Sequence, residues 1–328
     1  MMDKAEDLAS GTFYLTLMQA SQYAIVFVFY IIVARVLSPG EVGSFSLLLM
    51  VMGVFNTLTL LALNNAVIRY ISESLGRGDE ESAIASSRSA FKLILCVSIP
   101  ALILAFALSP TIACYVGTGV LDVLCILASA FMLNLTSYYG ALMFGFNMFR
   151  EVSLQNIIYV FSSRILGVSI AYLGFRVLGL SVGFLAGSAI TLLYSLFVLR
   201  GRIKPCHKGF PSEELLRFSM PLYGGNVILL VQGWLDVAIL SRLVGMGGTG
   251  TYYIAASSIA PLTILWTPLS SALFPTLSYI NGKGDSKEIE ETHRKVLNLA
   301  TAVILPLSTA PASVSHTALS IAYGERYS

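Results

Sequence analysis

The chain has 328 residues, with 20 Lys or Arg and 18 Asp or Glu. Charged residues make up 12%, hydrophobic ones 56%, and the mean hydropathy is +0.78, whereas an ordinary soluble domain carries about 25% charge. Intrinsic disorder is excluded, because it needs low hydrophobicity and high net charge. A soluble enzyme is excluded as well, because so few charges cannot cover its surface.

The apolar residues fall in blocks of about 20, the length of a helix that crosses a bilayer. The fold class read from this is an all-α integral membrane protein. The four cysteines (Cys96, Cys114, Cys125, Cys206) have no metal-binding or redox spacing, and the three histidines (His207, His293, His316) are scattered. No metal site and no cofactor are expected. The N-terminus carries three acids and one lysine, so the first block is expected to stay uncleaved as a membrane helix.

In chain order, nine spans are predicted, at 11–33, 43–64, 91–113, 120–143, 153–175, 178–199, 219–242, 251–274 and 296–314. Polar groups inside apolar spans are functional candidates by default. The first span offers Gln19, Gln22 and Tyr23 and ends at Arg35. The second offers Thr57 and Asn64, with Arg69 just beyond it. Asp122 begins the fourth span and reads as interfacial. In the fourth span lies the sequon Asn134-Leu135-Thr136, which membrane burial keeps from glycosylation. Arg164 sits near the centre of the fifth span. The sixth carries Gly179, Gly183 and Gly187, a spacing for close helix packing. In the seventh, Gly225, Leu229, Gln232 and Asp236 share one stripe, and Arg242 ends it. The glycine run 245–250 lacks the Lys-Ser/Thr of a phosphate loop and reads as a turn. Pro261 and Pro268, seven apart in the eighth span, mark a kink or gate.

Basic residues set the orientation. The connectors on the N-terminal side hold Lys4, Arg69, Arg77, Arg88, Lys92, Arg150, Arg200, Arg202, Lys204, Lys208, Arg217, Lys283, Lys287, Arg294 and Lys295; the other side holds Arg35, Arg176, Arg242 and Arg326. This bias predicts a cytoplasmic N-terminus in a multi-pass protein of the cell membrane. Topology alone explains the basic stretch 200–217, with anionic lipid contact as the alternative.

An internal repeat sets the architecture. Arg35, Gly40 and Gly43 recur as Arg242, Gly247 and Gly250, and the GRGD at 76–79 recurs as GKGD at 282–285. Pro100 recurs as Pro306. The period encloses six spans, so both copies enter the membrane from the same side, related by a pseudo-twofold axis along its normal. Two six-helix lobes follow: residues 1–200, a cytoplasmic basic linker 201–218, and the first three helices of a second lobe at 219–328. A complete second lobe needs three further spans, so the sequence is expected to be a truncated form of a longer protein.

The stretches ARVLSPGEVGSFSLLL, IRYISESLGRGDEES, WLDVAILSRLVGMGGTGTYYIAASSIAPL, ALFPTLSYINGKGD and YGERY resemble the Wzx-type polysaccharide-biosynthesis flippases, over essentially the whole chain. The superfamily also holds MATE multidrug exporters and lipid II flippases. The resemblance implies twelve or fourteen spans in two lobes, of which this sequence contains nine. It implies transport of a polyprenyl-pyrophosphate-linked oligosaccharide from the cytoplasmic to the outer leaflet by alternating access. The implied partners are that lipid, the bilayer, and H+ or Na+ as coupling ion; nucleic acid is not among them.

On this reading Arg164 suits a pyrophosphate, the alternative being a structural ion pair, with Asp236 as its natural partner. Asp236, with Gln232, suits a cavity or coupling site. Arg35 and Arg242 form an outer cation pair or snorkel, and Arg69 meets the incoming pyrophosphate or snorkels. Gln22, Tyr23 and Asn64 suit sugar hydroxyls, or simply join helices. The competing reading is a MATE-like cation- or proton-coupled drug or metabolite exporter, which needs an acidic cavity. Four arginines against two aspartates in or beside the spans favour an anionic substrate. A membrane enzyme is not expected, because no connector carries an acid/base constellation.

Overall fold

The computed structural model describes residues 2–200 and 209–259, together with Arg294, Asn298, Thr301, Ala302, Tyr323 and Gly324; of residues 2–13 and 15 only the backbone is described. The chain forms two compact units, Met1–Tyr253 and Ile254–Ser328. In the second, Ser258 Oγ donates to Tyr323 OH at 2.7 Å. Everything below belongs to the first.

Ten α-helices follow one another: α1 (Met2–Val36), α2 (Pro39–Leu60), α3 (Leu63–Gly76), α4 (Glu80–Ala107), α5 (Ser109–Val116), α6 (Val120–Gly145), α7 (Phe149–Ile170), α8 (Arg176–Leu199), α9 (Ser212–Leu243) and α10 (Gly245–Ile259). Among the described residues no strand occurs. Six stretches are long and apolar enough to cross a membrane: Thr16–Val36, Pro39–Leu60, Glu80–Ala107, Val120–Gly145, Phe149–Leu199 and Ser212–Leu243. Helices suit this setting because they satisfy their own backbone groups where water is absent.

The first seven predicted blocks fall within α1 to α9, the third divided between α4 and α5 at Leu108. The eighth starts in α10; its continuation, with Pro261 and Pro268, lies outside the described residues, as do the repeat partners Gly284 and Pro306. Residues 201–208 of the predicted linker also lie outside them, and α9 begins at Ser212, inside its predicted end.

Local chemistry sets the helix ends. Ser38 caps α2: its Oγ accepts from Glu41 N at 3.4 Å, and the Glu41 carboxylate accepts from Ser38 N at 2.8 Å. Pro39 stands at the first position, where its missing N–H costs nothing. Asp79 caps α4 by accepting from Ser82 N at 2.9 Å. Gly117, at φ 72°, ends α5 in the left-handed conformation.

Two sequence expectations need correction. The second block is not one helix. Leu61 and Ala62 take φ of 51° and 54° and break it into α2 and α3. Neither residue is Gly or Pro, so no local signal announced the break. The glycine run 245–250 is not a turn but the start of α10, and glycine's weak helix propensity of about 1 kcal/mol is overridden by packing.

The tightest packing lies between α7 and α8. They reverse at Gly174 (φ 101°) and Arg176 (φ 45°). A Cβ on Gly187 would lie 2.5 Å from that of Ser163; one on Gly183 would clash with Gly167, and one on Gly179 with Ala171. The pairs 163/187, 167/183 and 171/179 run antiparallel, so the predicted glycine track lies against a second track of small residues, Ser163, Gly167 and Ala171. Lipid tails are as apolar as leucine, and close backbone approach is what holds such helices together.

Gly183→Leu must push these backbones apart. Overpacking of a tight contact costs about 1–3 kcal/mol, so the thermal unfolding midpoint in detergent should fall clearly. Gly224→Ala, with nothing within 4 Å of the added Cβ, should leave it unchanged. Equal midpoints in the two variants would disprove the packing role.

Candidate functional site

Arg164 occupies the distal part of α7, towards the end of the bundle opposite the N-terminus of α1. Its Nη1 donates to Ser163 Oγ at 2.7 Å. The guanidinium lies over Phe184 (4.7 Å to the ring centroid), Tyr159 (5.3 Å) and Phe29 (5.9 Å). These aromatic faces supply attraction without neutralising charge. Among the described residues no carboxylate pairs with it, and its buried Nε has no hydrogen-bond partner. The ion pair with Asp236 offered as an alternative does not form. Arg164 is a half-buried cation with donor capacity to spare, the arrangement that receives an anion.

Asp236 is engaged elsewhere. Its carboxylate accepts from Val237 N at 2.8 Å and from the Tyr252 hydroxyl, which joins α9 to α10. Gln232, Gly225 and Leu229 are exposed on the same helix. Gln22 and Tyr23 are half-buried on α1, and Asn64 holds a buried Oδ1 without a partner beside the α2–α3 break.

The terminal arginines do not share one role. Arg35 is exposed at the end of α1. Arg242 stacks over Tyr115 of α5 at 4.4 Å. Arg69, at the proximal end, lies over Phe218 at 4.4 Å and approaches Glu73 at 3.8 Å, tying α3 to α9. Asp122 is not merely interfacial. It is 7% exposed, and its carboxylate accepts from Gly119 N at 2.9 Å at the head of α6.

At the distal end α2 and α10 touch backbone to backbone. A Cβ on Gly43 would strike the Met246 carbonyl, and one on Gly250 would strike the Pro39 carbonyl. The contact is reciprocal: residues 39 and 43 meet 246 and 250, and each pair is offset by 207, the spacing of the sequence repeat. Nearby, Tyr30 OH lies 2.9 Å from Tyr253 OH, and Trp234 stacks on Tyr253 at 6.2 Å. Phe29 lies against Tyr30 at 5.1 Å. A run of aromatic contacts thus leads from α9 and α10 to Arg164.

Sequence reasoning missed two features. One is the distal ion pair of Arg176 with Glu41, at 2.8 Å; Arg176 had counted only towards topology. The other is a cavity of about 300 Å³ between α2, α6, α7 and α8, lined among others by Asn56, Asn134, Gln155, Asn156, Tyr159 and Thr191. Asn134 had been noticed only as a sequon, and Gln155 and Asn156 stood too near a span end to attract notice. A search for amides inside apolar blocks would have found all four.

Comparison with known proteins follows the same lines. Residues 32–328 match the family described as polysaccharide biosynthesis protein. The chain is 26% identical over 310 residues to a putative O-antigen transporter of Shigella flexneri, covering 90% of this chain and 71% of that one. Among solved structures it is similar to an inward-facing multidrug resistance MATE family transporter of the MOP superfamily, with TM-score 0.67, 14% identity, and 92% of this chain and 72% of that one covered. It is also similar to a MOP superfamily transporter from Pyrococcus furiosus noted for a binding pocket of reverse polarity, with TM-score 0.63, 16% identity, and 90% and 70% covered. At these identities the solved structures show the fold alone.

The reciprocal contact yields a test. Cysteines at Gly40 and Gly247, where an added side chain meets nothing within 4 Å, can carry spin labels. Gly43→Leu should lengthen the measured distance and shift the population towards a distally open state. An unchanged distance distribution would show that the contact does not hold this end closed.

Proposed function

This chain belongs to the polysaccharide biosynthesis protein family and is a membrane transporter, and we propose that its cargo is a polyprenyl-pyrophosphate-linked oligosaccharide, flipped from the cytoplasmic to the outer leaflet. The observation that carries this reading is Arg164, an intramembrane guanidinium with no carboxylate partner among the described residues and a spare buried donor. Desolvated, such a cation is costly. A pyrophosphate supplies the missing charge and acceptors, and bidentate acceptance suits the planar fork.

The positive-inside bias supports a cytoplasmic N-terminus, which makes the distal end extracytoplasmic. Gly43 and Gly250 join α2 to α10 there, as a state that admits substrate from the cytoplasm would require. The reciprocity of the contact supports two lobes related by a pseudo-twofold axis, each presenting one glycine. Release would need this contact to part. Arg69, on the proximal surface, is placed to meet the incoming headgroup, while its stacking on Phe218 gives it a structural duty as well.

Asp236 and Tyr252 suit the coupling step. A carboxylate that accepts from a tyrosine hydroxyl across two helices holds those helices together while ionised. Protonation or sodium binding would weaken that hold and loosen α9 from α10.

Two measurements test this reading. Arg164→Ala should lower flipping of a lipid-linked oligosaccharide in proteoliposomes about ten- to a hundredfold, the worth of one to two charge-assisted hydrogen bonds, with unchanged membrane levels. Wild-type rates in that variant would remove Arg164 from the site. Asp236→Asn should flatten the dependence of transport on pH or sodium; a dependence identical to wild type would rule it out as the coupling group.

A further inference from the structure

In the cavity between α2, α6, α7 and α8, amides and hydroxyls stand beside Leu60 and Leu133, and no charged side chain lines it. Asn134 is 1% exposed and Gln155 5%. Their amide hydrogens are already used in the wall. Asn134 Nδ2 donates to Thr59 Oγ1 at 2.5 Å and to Ser98 Oγ at 3.4 Å. Gln155 Nε2 donates to the Thr136 carbonyl at 2.9 Å and to Ser195 Oγ at 2.8 Å. Thr191 Oγ1 donates to the Gly187 carbonyl at 2.7 Å. What remains on the two amide side chains is their carbonyl oxygens. Asn56 Oδ1 is buried with no hydrogen-bond partner, and an unmet buried acceptor is unfavourable unless something arrives to meet it.

An occupant that brings hydrogen-bond donors would meet it. A bare cation brings none, and to bind through such oxygens it needs them drawn to about 2.3–2.6 Å on all sides. A space of about 300 Å³ has room for about ten waters at ~30 Å³ each. That is the low end of the small-molecule range of about 300–1,000 Å³. A neutral polyhydroxy ring fits it, with hydroxyls to give to amide carbonyls. Tyr159 adds an aromatic face to the same wall.

Tyr159 also links this cavity to the cation. It lines the cavity while its ring lies 5.3 Å below the Arg164 guanidinium. A ligand with a phosphate at Arg164 and a sugar beside it would span the two. The wall is strained as well: Leu60 lines it, and the next two residues are the left-handed Leu61 and Ala62. Such strain is found where a ligand is clamped.

We propose that this amide cavity binds a neutral sugar ring of the transported glycan, with Asn56 as an acceptor for one of its hydroxyls and Arg164 taking the adjoining phosphate. The choice of a sugar rests on the lipid-linked glycan reading above; the existence of a donor-bearing occupant rests on the cavity itself.

The test uses the purified full chain in detergent and follows its thermal unfolding midpoint. The probes are galactose, rhamnose, N-acetylglucosamine, inorganic pyrophosphate, and sodium chloride against choline chloride. At least one neutral sugar should raise the wild-type midpoint saturably. Asn56→Leu should weaken that sugar about tenfold or more without lowering the ligand-free midpoint, since its Oδ1 has no partner to lose. The pyrophosphate shift should survive in Asn56→Leu and vanish in Arg164→Ala. If Asn56→Leu does not fold, Asn156→Ala serves in its place. Absence of any sugar effect on the wild type, an undiminished sugar effect in the variant, or a sodium effect that the variant abolishes would each overturn the proposal. Sugar binding without flipping of lipid-linked oligosaccharide would sink the transport reading and leave the cavity's role standing.

Discussion

Helices in a bilayer gain little by hiding apolar side chains from one another, because the lipid is as apolar as they are. What they can gain is close approach, and close approach needs positions without a side chain. In this protein two such places organise the rest. Along α7 and α8, Gly179, Gly183 and Gly187 lie against Ala171, Gly167 and Ser163. This hairpin holds Ser163 and Tyr159 in register, and they in turn seat Arg164. At the distal end, Gly43 and Gly250 bring α2 and α10 together across the repeat. The first contact builds a rigid wall. The second joins α2 to α10 at the distal end.

The two contacts differ in how easily they part. Three successive close pairs between consecutive helices make α7 and α8 one body. The distal contact involves one glycine from each helix, with an aromatic pair, Tyr30 and Tyr253, beside it. A transporter needs both kinds of joint: one that never opens, to keep the site in shape, and one that can, to let cargo through. The aromatic run from Trp234 through Tyr253, Tyr30 and Phe29 reaches the guanidinium of Arg164. Parting of the distal contact would therefore disturb the stack around the cation, a physical route between that contact and Arg164.

Polar side chains in the bundle fall into two sorts. Some are fully occupied with structure: Asn134 bridges α6 to Thr59 on α2, and Gln155 bridges α7 to α6 and α8. Others hold capacity in reserve: Arg164 Nε and Asn56 Oδ1 lack partners. Both sorts are costly in hydrocarbon, but only the second invites a ligand. Placing these two of the bundle's unpartnered groups beside one tyrosine, Tyr159, gives the region a charged half and a neutral half.

Composition and spacing alone give the class, the approximate positions of the helices and the glycine track along which α8 meets α7. Twenty-residue apolar blocks have one stable form in lipid, and a GxxxGxxxG track has one common use there. Arg164 also stands out there, because a charge inside an apolar block does so in any reading. The repeat also pointed to Gly43 and Gly250 as equivalent positions. Only the tertiary structure decided partnership. It paired Asp236 with Tyr252 and not with Arg164, set Arg242 on Tyr115, broke the second span at Leu61 and Ala62, and gathered Asn56, Asn134, Gln155 and Asn156 from three helices around one cavity. Helical periodicity tells which residues share a face. It does not tell which faces meet, and whether a polar group is satisfied depends on what lies opposite.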